Sequence, residues 1–274
     1  QAQQLLKEKA LSETFQILEA TLHHLYRLSI KVPQFQEQLS TELRLALRIF
    51  DALCHQPMAP RLQQSAFVLA MDISGREGYT FLKGTKPLLL SIEPFILEEK
   101  SRHAAFQLAE KKAILDSRQQ LPWATIVMRW MRLWNVRSTS KPLKLVLNRL
   151  MPDILQDLSR QGDYEDVIYS LQSVQTDTYE KTLLRGMLQA GLRAARQTGD
   201  KTLISKLAYE LSLSYLDPDA WDILLETDHE SANRVLRVVK EYYAPSTDEV
   251  ADQLLLRGWN ATGHKDELLG RLSA

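Results

Sequence analysis

Residues 155–174 read LQDLSRQGDYEDVIYSLQSV, and residues 192–211, which begin 37 residues further along the chain, read LRAARQTGDKTLISKLAYEL. Each segment places apolar residues at helical spacing on both sides of a Gly-Asp pair, Gly162-Asp163 and Gly199-Asp200. Glycine readily adopts the left-handed conformation that closes a helix, and aspartate can cap the helix that follows. Each segment therefore predicts two helices joined by a tight turn.

The two hairpins leave two interpretations open. A 37-residue helix-pair repeat within 150–215 is typical of an α-solenoid, in which each pair packs on its neighbour. Two unrelated antiparallel hairpins that use the same common turn chemistry would give the same pattern. Both interpretations predict an all-α fold, either a helical bundle or an α-solenoid of helix pairs, followed by a C-terminal helical hairpin.

The N-terminal part of the chain is also helical in pattern. Its first apolar stripe has spacings of 4, 3, 4 and 3 residues and consists of Leu11, Phe15, Leu18, Leu22 and Leu25. Proline disfavours the helical conformation of the residue before it, so Val32-Pro33 should end this helix. No segment alternates apolar and polar residues between turn signals, so we predict no sheet.

Further helices are predicted from periodicity, prolines and capping residues. They lie around Leu43 to Cys54, 61–72, 88–97, 98–119, Pro122 to Trp134, from Pro142 onward, from Asp217-Pro218, and from Asp228 or His229 to about Tyr243, with a loop at 72–79. Ala244-Pro245 then breaks the chain. We therefore predict a helical domain at 1–244, with a sub-boundary near 136–142, and a small domain at 246–274.

A net charge of zero hides an uneven distribution. Residues 100–150 carry 11 Lys and Arg but only two acidic residues, a net of +9, whereas residues 151–245 carry 10 basic and 16 acidic residues, a net of −6. The basic segment will attract anions only if its side chains share an exposed face. The alternative is internal pairing with the acids of 151–245, and the sequence leaves both open.

The basic segment includes a helix rich in tryptophan. Trp123, Trp130 and Trp134 share one helix face, which is more typical of a core than of a base-stacking platform. The Lys and Arg side chains of this basic segment are candidates for a surface that binds the phosphates along a nucleic-acid backbone. These candidate nucleic-acid-binding residues are Lys111, Lys112, Arg118, Arg129, Arg132, Arg137, Lys141 and Lys144.

The last 29 residues predict two short helices. Ser246 and Glu249 form a capping box, and Leu268, Leu269 and Leu272 give the second helix an apolar face. A unit this small should lean on a partner or on residues 228–243. Its positions in register with a known pattern are Ser246, Glu249, Val250, Leu254, Arg257, Gly258, Gly263, Lys265, Glu267, Leu268, Arg271 and Leu272.

This arrangement resembles the SAP motif, a helix–extended loop–helix module, although Trp259 stands where the motif usually has leucine. The resemblance implies DNA binding, often to AT-rich sites. It places Arg257, Gly263, His264, Lys265 and Arg271 where they can reach phosphates. The hairpin has a net charge of −2, so few phosphates can be neutralised and its own affinity should be weak. A hairpin that serves only as a packing cap or protein-docking unit is the alternative.

Several classes of function lack sequence support. There is no phosphate-binding GxxxxGK[ST], GxGxxG, GxSxG or HExxH motif, so we expect no enzyme, no cofactor and no metal. The single cysteine, Cys54, follows an apolar run and is best interpreted as a buried core residue in an intracellular, reducing compartment. No apolar run reaches 18 residues, and Gln1 to Gln4 lack the features of a secretory signal, so neither membrane insertion nor secretion is expected.

These observations predict a non-enzymatic, nucleic-acid-binding scaffold. DNA is favoured over RNA because of the SAP-like hairpin, and the nucleus is the expected location in a eukaryote. The helical surface would bind protein partners. The competing prediction is a protein–protein adaptor of helical-repeat type in which the SAP-like hairpin is structural.

Overall fold

A computed structural model describes residues 2–31, 36–76, 79, 81–82, 85–136, 140–173 and 179–242. Within these ranges the chain contains twelve α-helices, a single 3-10 helix and no strand, which confirms the all-α prediction. The chain divides into two compact units, Gln1–Val146 and Leu147–Ala274. The division falls inside a helix, a few residues after the predicted sub-boundary, and the predicted boundary at 244 lies outside the described residues.

Among its described residues, the N-terminal unit contains six complete α-helices, one 3-10 helix and the start of a seventh α-helix. They are α1 Ala2–Lys31, α2 Gln36–Cys54, α3 Pro60–Gly75, α4 Leu88–Ser91, the 3-10 helix Glu93–Phe95, α5 Glu99–Leu115, α6 Gln120–Leu133 and α7 Lys141–Gln161. The predicted stripe on α1 is confirmed, because Phe15, Leu18 and Leu22 are buried. On α2, Leu43, Ala46 and Phe50 are buried, which places the exposed side chains of Leu45 and Ile49 beside a shallow apolar groove against α1.

Three predicted boundaries in this unit are wrong. Helix α3 continues to Gly75 instead of ending at Asp72, because Ile73 and Ser74 extend its buried face. The single helix predicted over 88–97 is interrupted: α4 ends at Ser91, and the 3-10 helix follows because Pro94 lacks the N–H that an α-helix needs. The charged helix predicted to reach 119 ends at Leu115, where Asp116 leaves the helical conformation.

The described part of the C-terminal unit contains the rest of α7 and five further helices. They are α8 Tyr164–Gln172, α9 Lys181–Thr198, α10 Lys201–Tyr215, α11 Pro218–Thr227 and α12 His229–Tyr242. From α8 to α12 each helix packs against the next, and α10 also contacts α12. Their shared core centres on Trp221, with Leu211 and Val235 from the flanking helices, all of them almost fully buried.

The predicted turns of the two hairpins are confirmed. Gly162 has a φ of 79° and Gly199 a φ of 73°, so both occupy the left-handed region where a side chain would be strained. The second aspartate caps as expected, because the Asp200 carboxylate accepts a hydrogen bond from the Leu203 N–H at 3.0 Å. The Asp163 side chain makes no such cap at the start of α8.

The predicted starts of α11 and α12 are confirmed by their caps. Asp217 accepts from the Ala220 N–H at 3.2 Å, and Asp228 accepts from the Ser231 N–H at 3.0 Å. The Asp228 carboxylate also accepts from the Ser205 hydroxyl at 2.6 Å, which connects α12 to α10. These hydrogen bonds from Ser205 and Ser231 lower the pKa of Asp228 to about 2.

Candidate nucleic-acid interface

The two units have opposite formal charges. The N-terminal unit contains 20 Lys and Arg against 13 Asp and Glu, a net of +7, and the C-terminal unit contains 14 against 21, a net of −7. Ten of the 11 cations of segment 100–150 belong to the N-terminal unit, where they lie on α5, α6, the adjoining turns and the start of α7. Most of the basic segment therefore belongs to one compact unit, and the net charge of that unit is also positive.

Arg129 forms an ion pair with Glu93 inside the N-terminal unit. Its Nε lies 2.9 Å from Glu93 Oε2 and its Nη2 lies 3.0 Å from Glu93 Oε1, so the ion pair is bidentate. Both side chains are largely buried, with 25% of Arg129 and 13% of Glu93 exposed. The indole Nε1 of Trp130 donates to the same Glu93 carboxylate at 2.9 Å. The partner is an acid of the N-terminal unit rather than one from 151–245.

Two other predicted contact residues are also partly withdrawn from solvent. The Lys112 ammonium donates to the Arg76 carbonyl at 2.8 Å, so it fastens α5 to the end of α3. Arg132 is half-buried in the last turn of α6, where a cation is favoured by the helix dipole. Lys112 and Arg132 therefore offer less charge to a ligand than their place in the sequence indicates.

Four predicted contact residues are exposed. Lys111 lies on α5, and Arg118 lies in the turn before α6, where its backbone N–H donates to the Asp116 carboxylate at 3.3 Å. Lys141 and Lys144 are three residues apart at the start of α7 and so share a helix face. Among the described residues, none of these four side chains forms an ion pair. Among the predicted contact residues that the structure describes, these four are available to phosphate.

The tryptophan face is core, as predicted. Trp123 and Trp130 are fully buried, and the half-buried Trp134 stacks on Trp130 with ring centroids 4.4 Å apart. Trp123 also packs against Phe81, with centroids 4.7 Å apart, and against Tyr79 at 5.8 Å. Since the faces of these rings are covered by other side chains, they do not form a base-stacking platform.

The remaining predicted contacts cannot be placed on the fold. Arg137, Arg257, Gly263, His264, Lys265 and Arg271 lie outside the described residues. The same holds for the SAP-like hairpin at 246–272 as a whole. Its resemblance to the SAP motif is therefore a statement about sequence.

Other kinds of site receive little support from the described residues. Cys54 is buried, and burial raises its pKa to about 12, so it exists as a thiol and packs as a small apolar residue. The described part of the chain groups no three His, Cys, Asp or Glu side chains in a way that could hold a metal ion. It also contains no helix with the length and apolar character needed to cross a membrane.

The C-terminal unit carries a second cationic surface, which the net charge of each sequence segment did not reveal. Arg193 and Arg196 lie on α9, and Arg160 lies at the end of α7; all three are exposed in the acidic C-terminal unit. On α9 the polar residues Arg185, Gln189, Arg193 and Arg196 recur at spacings of 4, 4 and 3. That spacing is a signal of one helix face, which net charge per segment conceals.

No protein-family model matches the chain. No curated protein sequence matches it either.

Proposed function

We propose that this chain is a non-enzymatic helical scaffold that binds nucleic acid, with DNA favoured over RNA, in an intracellular and, in a eukaryote, nuclear setting. The observation that carries the proposal is the +7 charge of the N-terminal unit, together with four exposed cations that have no acidic partner among the described residues. The preference for DNA is supported by the SAP-like sequence of 246–272.

Lys111, Arg118, Lys141 and Lys144 would contact phosphates rather than bases. Phosphate contacts fix position and supply affinity without reading sequence. Four contacts on duplex DNA correspond to a log–log salt slope of about −3.6, at roughly −0.9 for each phosphate neutralised. We therefore expect weak binding that depends strongly on salt, with little dependence on sequence.

The test is a titration of a labelled duplex with the full chain at several salt concentrations. The contact variant carries Lys111→Glu, Lys141→Glu and Lys144→Glu. The matched control carries the same three charge reversals on exposed residues of the C-terminal unit, Lys201→Glu, Lys206→Glu and Arg237→Glu. The contact variant should lose at least about tenfold in affinity, or ~1.4 kcal/mol, relative to the control, and should show a shallower salt slope.

The outcome can contradict the proposal in two ways. Equal loss in the contact and control variants would show a general charge effect instead of a surface on the N-terminal unit. Absence of binding by the unmodified chain at low salt would remove nucleic-acid binding altogether. A duplex RNA of the same sequence, titrated in parallel, tests the preference for DNA.

The SAP-like hairpin should act as a minor anchor. Its three basic residues and net charge of −2 allow few phosphate contacts. Deletion of 246–274 should therefore weaken binding by only about tenfold, or ~1.4 kcal/mol. Complete loss on deletion, with normal binding by the contact variant, would move the binding site to the hairpin.

A protein–protein adaptor is the second candidate. The contacts of Arg129 with Glu93 and of Lys112 with the Arg76 carbonyl support it. These two cations stabilise the fold and so offer less charge to a nucleic acid. In this alternative the SAP-like hairpin is structural and the helical surfaces carry the function. Failure of the unmodified chain to bind duplex DNA at low salt would favour the adaptor.

A further inference from the structure

Helices α7 and α9 of the C-terminal unit border a groove of about 470 Å³. Beyond Ser159 and Arg193 the groove continues as a polar cavity of about 520 Å³, which reaches the start of α8 and the end of α9. The two parts share Ser159 and Arg193, so they form one continuous depression, here called the α7–α9 groove. Its two ends have different chemistry.

One end of the α7–α9 groove is apolar. Leu155 from α7 and Met187 and Ala190 from α9 form its wall, and Leu183 stands at the rim with 43% of its surface exposed. Gly186 also lines this end, and a Cβ built there would meet nothing within 4 Å. The missing side chain therefore leaves open space at this end of the groove.

The other end of the α7–α9 groove is cationic. Arg193 and Arg196 line it together with the half-buried Tyr164, and Arg160 lines the adjoining first part of the groove. Within the described residues, none of the three guanidinium groups forms an ion pair or a hydrogen bond. Arginine is suited to carboxylates because its planar fork can hold both oxygens.

Several acids border this groove, and Asp163 and Glu165 flank its Tyr164 in the sequence. Asp153 lines the apolar end. Asp219, Asp222 and Glu226 belong to α11, on the far side of a neighbouring cavity that Arg193 and Arg196 also line. An anionic ligand should therefore stay between α7 and α9, because the α11 side repels it.

We propose that the α7–α9 groove binds an acidic segment of a partner protein. An aliphatic side chain of that segment occupies the open space over Leu155, Met187 and Ala190, and its carboxylates are held by Arg160, Arg193 and Arg196. This inference is independent of nucleic-acid binding and specifies a partner for the adaptor function. Among the described residues, no aromatic ring on which a base could stack lines its apolar end, so the groove fits a peptide better than a nucleic acid.

The test begins with selection from a random dodecapeptide library displayed on phage, with the full chain as bait. Selected peptides should combine two or more Asp or Glu with Leu, Ile or Met. A synthetic, fluorescently labelled copy of a selected peptide is then titrated by anisotropy. Arg193→Glu with Arg196→Glu should weaken binding by at least about tenfold, whereas the control Lys201→Glu with Lys206→Glu, on exposed residues of α10, should leave it unchanged.

A second variant tests the apolar end without changing charge. Gly186→Leu should fill this open space and block the peptide, and circular dichroism should show that the fold is retained, because a Cβ at this position meets no neighbour. The proposal is overturned if no acidic peptides are enriched, or if selected peptides bind both variants normally. It is also overturned if single-stranded DNA, and not the peptide, loses affinity for the double arginine variant.

Discussion

The Glu93 carboxylate accepts hydrogen bonds from two residues of α6: from Nε and Nη2 of the Arg129 guanidinium, and from the indole N–H of Trp130. Glu93 belongs to the 3-10 helix that Pro94 imposes, 36 residues before Arg129. The interaction joins the break after α4 to the helix that carries the buried tryptophans. Arg129, which the sequence predicts to bind phosphate, thus stabilises the packing of the N-terminal unit.

We expect Glu93→Gln to destabilise the protein by about 2 kcal/mol. The change removes the negative charge that accepts both hydrogen bonds from the largely buried Arg129 guanidinium, and charge-assisted hydrogen bonds of this kind contribute about 1.5–3 kcal/mol. Urea denaturation followed by fluorescence measures the effect. The control is Glu230→Gln on α12, which breaks an exposed ion pair with Arg234 and should change stability by less than about 1 kcal/mol. Equal losses in the two variants would contradict this role for Glu93.

Replacement of Trp130 with alanine should cost about 3–5 kcal/mol, the range for a buried aromatic residue. Trp130 is fully buried, stacks on Trp134 and donates to Glu93. Chemical denaturation measures the loss. Leu145→Ala is the control, since 71% of Leu145 is exposed and its truncation should leave stability nearly unchanged. A loss under about 1 kcal/mol for Trp130→Ala would mean that this face is not core.

Acid should weaken the C-terminal unit through Asp217. Burial on its own would raise the pKa of this carboxyl, but hydrogen bonds from Arg185, the Ala220 N–H and Gln189 outweigh burial and lower the pKa below its ordinary value. Because the folded pKa is lower than the unfolded pKa, the stabilisation is complete above about pH 4. It is lost as the pH falls through the folded pKa.

Asp217→Asn tests this acid dependence. At neutral pH the variant should be less stable by about 2 kcal/mol, because it loses the charged acceptor of a buried network. Its stability should also fall less steeply than that of the unmodified chain as the pH drops below about 4. Urea denaturation at a series of pH values measures both. An unchanged pH slope would contradict the assignment, and the exposed Asp153→Asn serves as the control.

Two glycines within α9 should respond to alanine in opposite ways. Gly186→Ala should stabilise the protein by up to about 1 kcal/mol, since it improves helix propensity and its Cβ meets no neighbour. Gly191→Ala should destabilise by up to about 1 kcal/mol, because its Cβ would collide with the end of the Leu171 side chain and lie 3.3 Å from Leu207 Cδ1, which outweighs the gain in helix propensity. Urea denaturation of both variants gives the signs. Stabilisation by both would show that α8 and α9 pack less closely than the structure indicates.

Local sequence chemistry was sufficient for most helices and for their turns. Gly162 and Gly199 end their helices, and Asp200 and Asp217 cap the next ones, because capping depends on residues within a few positions of one another. The burial of Trp123 and Trp130 also followed from helical spacing. Boundary predictions failed where tertiary burial extended a helix, as at Ile73, or where one proline changed the helix type, as at Pro94.

The candidate surfaces depended on contacts between residues distant in the chain. Charge counting found the basic segment but could not show that Arg129 pairs with Glu93, or that Lys112 donates to Arg76, since each pair is separated by 36 residues. It also missed the α7–α9 groove, whose arginines lie in an acidic unit. The sequence by itself determined most of the helices and three of the four predicted aspartate caps, because those interactions are local. Tertiary structure decided which cations remain available to a ligand, because Coulomb attraction and hydrogen bonding depend on distance in space.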